Sequence, residues 1–235
     1  MKSLPLIFLG IFFTLAFSWT GLVLTTYIQL GDLEPATEAL TDAEGNRIAG
    51  VFYEDDARDQ LVRGENVDNE AVFPRQWSGS AERGMRVYAD LGCYYCHSQQ
   101  VRRQGFGSDF ERGWGNRQSV PRDYIFQERV MLGTMRTGPD LANVGTRYSV
   151  LWQHQHLYLP QSINEWSTMP PFSFLYEVQP VSATRGPSPD AITPLDSWGI
   201  PDGHEVIPTQ RAKDLVSYLM SLDQNYELPE MKFSQ

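Results

Sequence analysis

The stretch Gly92-Cys93-Tyr94-Tyr95-Cys96-His97 contains both cysteines of the 235-residue chain, separated by two residues and followed directly by a histidine. This C-x-x-C-H spacing is the signature of covalent c-type haem attachment. Two thiols at this spacing reach the two vinyl groups of one porphyrin, and the next side chain places an imidazole under the iron. We therefore predict that Cys93 and Cys96 form thioether bonds to one haem c and that His97 is the proximal iron ligand.

The cysteine pair allows two other interpretations. A thioredoxin-like redox pair belongs next to a βαβ pattern, and no such pattern surrounds residues 93–96. A structural zinc site needs a second pair of thiols or histidines at a comparable spacing, and the chain holds no other cysteine. The motif therefore favours haem attachment.

Residues 4–30 form a run of 27 residues without a single charge. As a helix this run extends about 40 Å, which is ample for a hydrocarbon core of about 30 Å. The run is longer than the apolar region of a signal peptide, and no small-residue cleavage site of the A-x-A kind follows it. We expect an uncleaved single-span anchor at residues 1–31, with a cleaved signal peptide as the alternative.

Charges on the two sides of this run predict its orientation. Lys2 precedes the run, whereas Asp32 and Glu34 follow it. The positive-inside bias therefore favours a cytoplasmic N-terminus in a bacterial inner membrane, with the haem domain in the periplasm. Covalent haem attachment in a bacterial c-type cytochrome is expected on the same side.

The net charge of −10 is concentrated between the apolar run and the haem motif. Residues 32–76 contain twelve acidic residues and four arginines, so the rest of the chain is nearly neutral. This balance argues against nucleic-acid binding. We expect a solvated linker or an arm that lies on another subunit; a docking surface for a basic donor cytochrome is the alternative. Within this connector, residues 48–53 are expected to pair as a strand.

Two amphipathic helices are expected to flank the haem motif. Apolar residues recur at helical spacing over residues 80–91, where Gly84 leaves room for a second helix to cross and Gly92 ends the helix. The partner is expected at residues 209–222, with Thr209 as its N-cap. Around a C-x-x-C-H motif, this pair resembles the crossed terminal helices of a class I cytochrome c fold.

Between these helices the sequence predicts little regular structure. Residues 102–136 hold seven arginines interleaved with aromatic residues, which beside a haem indicates propionate pairing or a subunit contact. Six prolines at 177–208 predict an ordered, extended loop or a docking surface. The predicted fold class is mainly α: a single N-terminal transmembrane helix (1–31), the acidic connector (32–79) and a class I cytochrome c domain (80–235) with long loop insertions.

A second axial ligand is expected if the haem only transfers electrons. Met169 is followed by two prolines that stiffen its loop, and it lies far enough beyond His97 for the chain to wrap a porphyrin. A methionine thioether opposite histidine is the pairing of electron-transfer cytochromes and raises the potential. The competing ligands are Met131, Met135, His154 and His156.

A series of short motifs, in order, resembles the monohaem subunit II of cbb3-type cytochrome c oxidases. The motifs are Gly92-Cys93-Tyr94-Tyr95-Cys96-His97-Ser98-Gln99, Glu111-Arg112-Gly113, Ser119-Val120, Arg136-Thr137-Gly138-Pro139-Asp140-Leu141, Val144-Gly145, Arg147-Tyr148-Ser149, His156-Leu157 and Met169-Pro170. The resemblance implies that Cys93 and Cys96 carry the haem and that His97 and Met169 ligate its iron. It also implies that the Pro139 carbonyl accepts a hydrogen bond from Nδ1–H of His97.

The function implied by this resemblance is electron transfer without a catalytic residue of its own. The partners would be a membrane and a polytopic oxidase subunit with haem b and copper that reduces oxygen. Another cytochrome c subunit or a soluble cytochrome would donate the electrons. The alternatives are the small cytochrome c subunit of a nitric oxide reductase, which the long segment 98–136 argues against, and a free-standing membrane-anchored cytochrome c shuttle.

Overall fold

The computed structural model describes residues 3–38, 51–53, 61–63, 71–77, 79–184, 186–226 and 228; at 37–38, 51–53, 61–63 and 71–72 it describes the backbone alone. Lys2, most of the acidic connector and residues 48–50 of the predicted strand lie outside the described residues.

The first element is a long apolar helix, α1 (Leu4–Leu30), in which none of the side chains is buried by the rest of the protein. By length and composition α1 could cross a membrane. A π-helical segment, Thr20–Leu24, interrupts the α-helical hydrogen bonding, and the Thr25 hydroxyl bonds back to the carbonyl of Thr20 across it. Within the anchor predicted at residues 1–31, residues 4–30 therefore fold as one helix of spanning length.

Two small antiparallel sheets follow α1. Strand β1 (Ala36–Glu38) pairs with β4 (Ala71–Phe73), and β2 (Val51–Tyr53) pairs with β3 (Leu61–Arg63). The predicted strand in the connector is present over its last three residues. Because β1 and β4 pair, the two ends of the connector lie side by side. The Phe73 ring packs against Val120 and Leu228 and stacks on Tyr226, with ring centroids 4.9 Å apart, so the sheet is attached to the main domain.

The main domain is built on a close crossing of α2 (Gly79–Asp90) and the C-terminal helix, Gln210–Ser221. A Cβ at Gly84 would lie 1.9 Å from the carbonyl oxygen of Asp214, so only glycine permits this crossing. The Thr209 hydroxyl accepts a hydrogen bond from the Ala212 amide and caps the C-terminal helix. Both helices and the crossing thus lie where the sequence predicted them.

The region between these helices contains more regular structure than the sequence predicted. Helix α3 (Val150–Tyr158) begins after Ser149, whose hydroxyl accepts from the Trp152 amide. Strands β5 (Tyr176–Pro180) and β6 (His204–Pro208) form an antiparallel pair. The proline-rich segment, expected to be an extended loop, is therefore a β-ribbon that carries a loop at its end, and the C-terminal helix, α4 (Gln210–Ser221), follows it directly.

The reason for this difference lies in where the prolines stand. Pro180 and Pro208 occupy strand ends, where a missing N–H does not interrupt the ladder. Val206, between them in space, is fully buried in the main core. Prolines at strand ends therefore do not exclude a ribbon, and burial of one side of β6 stabilises it.

Candidate functional site

The C-x-x-C-H motif forms one tight turn directly after α2. Gly92 adopts a left-handed conformation with φ 73°, which ends the helix, and Cys93–Tyr95 follow as a single 3₁₀ turn. The amides of Cys96 and His97 both donate to the carbonyl of Cys93, at 3.1 and 3.0 Å. Both thiols are free; Cys93 is half-buried and Cys96 is exposed. The two sulfurs and the imidazole therefore belong to one locally fixed unit.

The His97 imidazole is oriented by a backbone carbonyl. Its Nδ1 lies 2.8 Å from the Pro139 oxygen. Because a carbonyl oxygen only accepts, Nδ1 carries the proton, which leaves the lone pair of Nε2 free to bind a metal. Burial lowers the pKa of His97, although the Pro139 bond and the Asp140 charge oppose this effect. The ring is therefore neutral, the state that a metal ligand requires.

Two glycines shape the backbone around His97. A Cβ at Gly138 would lie 2.3 Å from Cε1 of the imidazole, and a Cβ at Gly133 would lie 2.2 Å from the His97 carbonyl oxygen. Gly133 also has a left-handed φ of 81°. The chain thus passes directly against one face of the ring, an approach that only glycine allows. Neither glycine was predicted to matter individually, although Gly138 lies in the quoted R-T-G-P-D-L motif.

A buried carboxylate, Asp140, holds the His97 segment to the Pro139 segment. It accepts from the Ser98 hydroxyl at 2.6 Å and from the amides of Gln100 and Ala142, both at 2.8 Å. The backbone bond from Leu141 N to Ser98 O, at 2.8 Å, runs parallel to these contacts. Sequence reasoning missed Asp140, because its partners Ser98 and Gln100 are 42 and 40 residues away along the chain.

Three arginines of segment 102–136 form ion pairs within the chain. Arg136 Nη1 lies 2.5 Å from Asp109 Oδ1, and Arg102 pairs with the same carboxylate at 3.3 Å. Arg117 forms a buried pair with Asp123, at 2.6 Å. The ion-pair partners of these three side chains are carboxylates of the same segment, so the pairs cross-link segment 102–136 internally.

Two other side chains near His97 have buried polar atoms without a hydrogen-bond partner among the described residues. They are Nε of Arg147 and Nδ1 of His156. The charge of Arg147 acts on His97, and the charge of His97 in turn acts on His156, so the three groups are neighbours. A haem brings two propionate carboxylates that need such donors. These orphaned atoms, together with the C-x-x-C-H turn, fit a haem.

The candidate second ligands lie in different surroundings. Met169 is half-buried and packs against the main core, in a loop where Gln161 Nε2 donates to the Met169 carbonyl (2.8 Å) and the Ser167 carbonyl (2.9 Å). Met131 is buried, Met135 is 60% exposed, and Nδ1 of buried His154 lies 3.1 Å from the Tyr176 hydroxyl. His156 stacks on Trp152, with centroids 4.7 Å apart.

The thiols do not have the character of a redox pair. Burial raises the pKa of the Cys93 thiol to about 12. A redox-active cysteine instead needs a lowered thiol pKa. In the described part of the chain, no group of three or more His, Cys, Asp or Glu side chains comes together that could hold a metal ion. The geometry therefore does not favour the thioredoxin-like interpretation or a zinc site.

A family model described as "Cytochrome C oxidase, mono-heme subunit/FixO" matches residues 60–219, about two thirds of the chain. The chain therefore belongs to this family, the mono-haem subunits of cytochrome c oxidases. The match confirms the resemblance found in the sequence motifs. Comparison with curated proteins finds no match. The family's description implies one haem, and together with the apolar helix α1 it indicates a membrane-anchored protein.

Proposed function

We propose that this chain is the electron-transfer subunit of a cbb3-type oxidase. In this proposal it carries one haem c on Cys93 and Cys96, with His97 and Met169 as axial ligands. The single observation that carries the proposal is the hydrogen bond between His97 and Pro139. It fixes a neutral imidazole, with Nε2 free, in the same turn as two free thiols. The family match supports the same function.

When bound, the haem supplies one-electron chemistry. The residues of this chain hold and tune it. Arg147 and His156, with their unpartnered buried nitrogens, would receive the propionates. Gln161 holds the backbone of the Met169 loop at two carbonyls, so a thioether ligand would sit on a loop with little freedom. A methionine opposite histidine would raise the reduction potential and leave no open iron position.

The proposed domain division is the one predicted from the sequence. Residues 1–31 would anchor the chain in the inner membrane with the N-terminus in the cytoplasm, 32–79 would connect, and 80–235 would form the periplasmic monohaem domain. The anchor would keep the domain beside a polytopic catalytic subunit with haem b and copper. Another cytochrome c subunit or a soluble cytochrome would donate electrons. Support for this arrangement comes from the length of α1 and the family's description.

Purification of the full chain in mild detergent tests the assignment to a complex. We expect a large polytopic partner to copurify, and a pyridine haemochrome spectrum of the complex to show both c-type and b-type haem. A chain that is isolated alone with one haem c would indicate the free-standing shuttle. Absence of covalent haem after acid-acetone extraction would refute the proposal.

Substitution of the methionines tests the second ligand. Met169→Ala should open the iron position, so that the reduced haem binds carbon monoxide, whereas the wild-type haem should not. Met135→Ala is the matched control, because its side chain is 60% exposed. An unchanged spectrum in Met169→Ala would move the ligand to Met131, Met135 or one of the histidines.

A further inference from the structure

We propose that Asp140 sets the haem potential: its buried carboxylate favours the ferric state and holds the His97–Pro139 hydrogen bond in place. This inference rests on the proposed haem ligation by His97. It assigns Asp140 a positioning and charge-supplying role.

The positioning role follows from what Asp140 joins. Its carboxylate accepts from the Ser98 hydroxyl and the Gln100 amide, in the segment just after the ligand His97. It also accepts from the Ala142 amide on its own segment. The preceding carbonyl, that of Pro139, receives Nδ1–H of His97. The carboxylate therefore fixes the acceptor and the segment that carries the donor relative to each other.

The charge role follows from the kind of donors that satisfy Asp140. At close range these are neutral groups, one hydroxyl and two backbone amides. The nearest cation, Arg136, is 3.5 Å away and makes its shorter contact, 2.5 Å, to Asp109. Arg147 donates to the backbone carbonyl of Asp140, at 2.5 Å. The carboxylate is thus buried with its charge only partly offset.

A partly offset charge in this position acts on the iron. Oxidation of the haem adds one positive charge, and an interaction between charges is stronger in a buried, low-dielectric site than in water. A nearby carboxylate therefore stabilises the ferric state and lowers the reduction potential.

Asp214 provides a matched contrast within the same domain. It is also a buried carboxylate, and it also accepts from a serine, Ser80, at 2.7 Å. In contrast to Asp140, it forms a two-point ion pair with a guanidinium, because two Arg83 nitrogens each donate to it at 3.1 Å. Its charge is therefore paired at close range, at the α2–α4 crossing.

The test is a redox titration of the purified, haem-loaded complex in wild-type and variant forms. Asp140→Asn keeps the shape of the side chain and removes its charge. The ratio of ferrous to ferric haem at a given potential should therefore rise about tenfold, which raises the midpoint potential by about 59 mV for a one-electron couple. Asp214→Asn should leave the midpoint close to the wild-type value. A pyridine haemochrome of each variant shows that haem c is attached, which separates failure of this inference from failure of the proposed function.

A second variant keeps the test decisive if Asp140→Asn does not assemble. Ser98→Ala removes a neutral hydroxyl that donates to the Asp140 carboxylate and takes no charge away, so the carboxylate charge should act more strongly on the haem and the midpoint should fall. A rise in Asp140→Asn with a fall in Ser98→Ala supports the proposal, and so does the fall in Ser98→Ala where Asp140→Asn does not assemble. A midpoint that stays at the wild-type value in the variants that assemble overturns it, and so does an equal rise in Asp140→Asn and Asp214→Asn.

Discussion

Replacement of Gly138 by alanine should displace the imidazole of His97. The new Cβ would lie 2.3 Å from Cε1 of His97 and 2.7 Å from Nδ1, whereas ordinary carbon contacts begin at about 3.4 Å. The ring or the backbone must therefore move by about 1 Å. The 2.8 Å hydrogen bond to Pro139 then weakens or breaks. Overpacking costs about 1–3 kcal/mol and the lost hydrogen bond about 1 kcal/mol more, so the free energy of unfolding should fall by about 2–4 kcal/mol.

The assay combines denaturant unfolding with the visible spectrum and redox midpoint of the purified protein. We expect a destabilised variant with an altered ligand field and a shifted midpoint. Gly21→Ala is the matched control, because a Cβ there meets nothing within 4 Å, and it should change neither property. A Gly138→Ala protein with wild-type stability and spectrum would refute the inferred contact between this backbone and the imidazole.

Three further predictions concern stability. Gly84→Ala places a Cβ 1.9 Å from a backbone oxygen at the helix crossing, so it should lower the free energy of unfolding by about 3 kcal/mol or more. The visible spectrum of the folded molecules should stay unchanged. An unchanged free energy of unfolding would contradict the close crossing. Asp123→Ala leaves the buried Arg117 cation unpaired and should cost about 3–5 kcal/mol in denaturant unfolding, whereas Glu82→Ala, in an exposed pair, should cost less than about 1 kcal/mol. Burial, with a smaller effect from a nearby lysine, lowers the pKa of His154 from 6.5 to about 4. The unfolded chain therefore binds this proton first as the pH falls, so stability should drop by about 2–3 kcal/mol between pH 6.5 and 4.5 in wild type and by clearly less in His154→Gln; equal pH dependence would be inconsistent with a buried neutral ring.

Features that depend on neighbouring residues in the sequence were predictable. The C-x-x-C-H turn needs five consecutive residues, and the helix ends at Gly92 and Thr209 need only a glycine or a capping hydroxyl. The crossing at Gly84 was predicted because a small residue in an amphipathic helix is itself a local signal. The His97–Pro139 contact came from the resemblance to a known family, since no spacing rule relates these two positions.

Features that depend on distant partners were not predictable. The ribbon β5–β6 forms because Val206 is buried in a core made by other segments, which the local proline content conceals. The carboxylate of Asp140 accepts hydrogen bonds from Ser98 and Gln100, which are far away in the sequence. Likewise, nothing in the sequence around Arg136 indicates that its side chain pairs with Asp109. Tertiary contacts decide each of these cases.

The pairing of β1 with β4 limits how far the main domain can travel from α1. Only five residues, 31–35, separate Leu30 from Ala36. At about 3.3–3.6 Å per residue, this interval spans at most about 20 Å. Arg122 also donates to the Glu34 carbonyl within it. If α1 spans a membrane, as proposed, the main domain stays close to the membrane surface, so a partner in the same membrane would meet it at a high effective concentration without a strong docking interface.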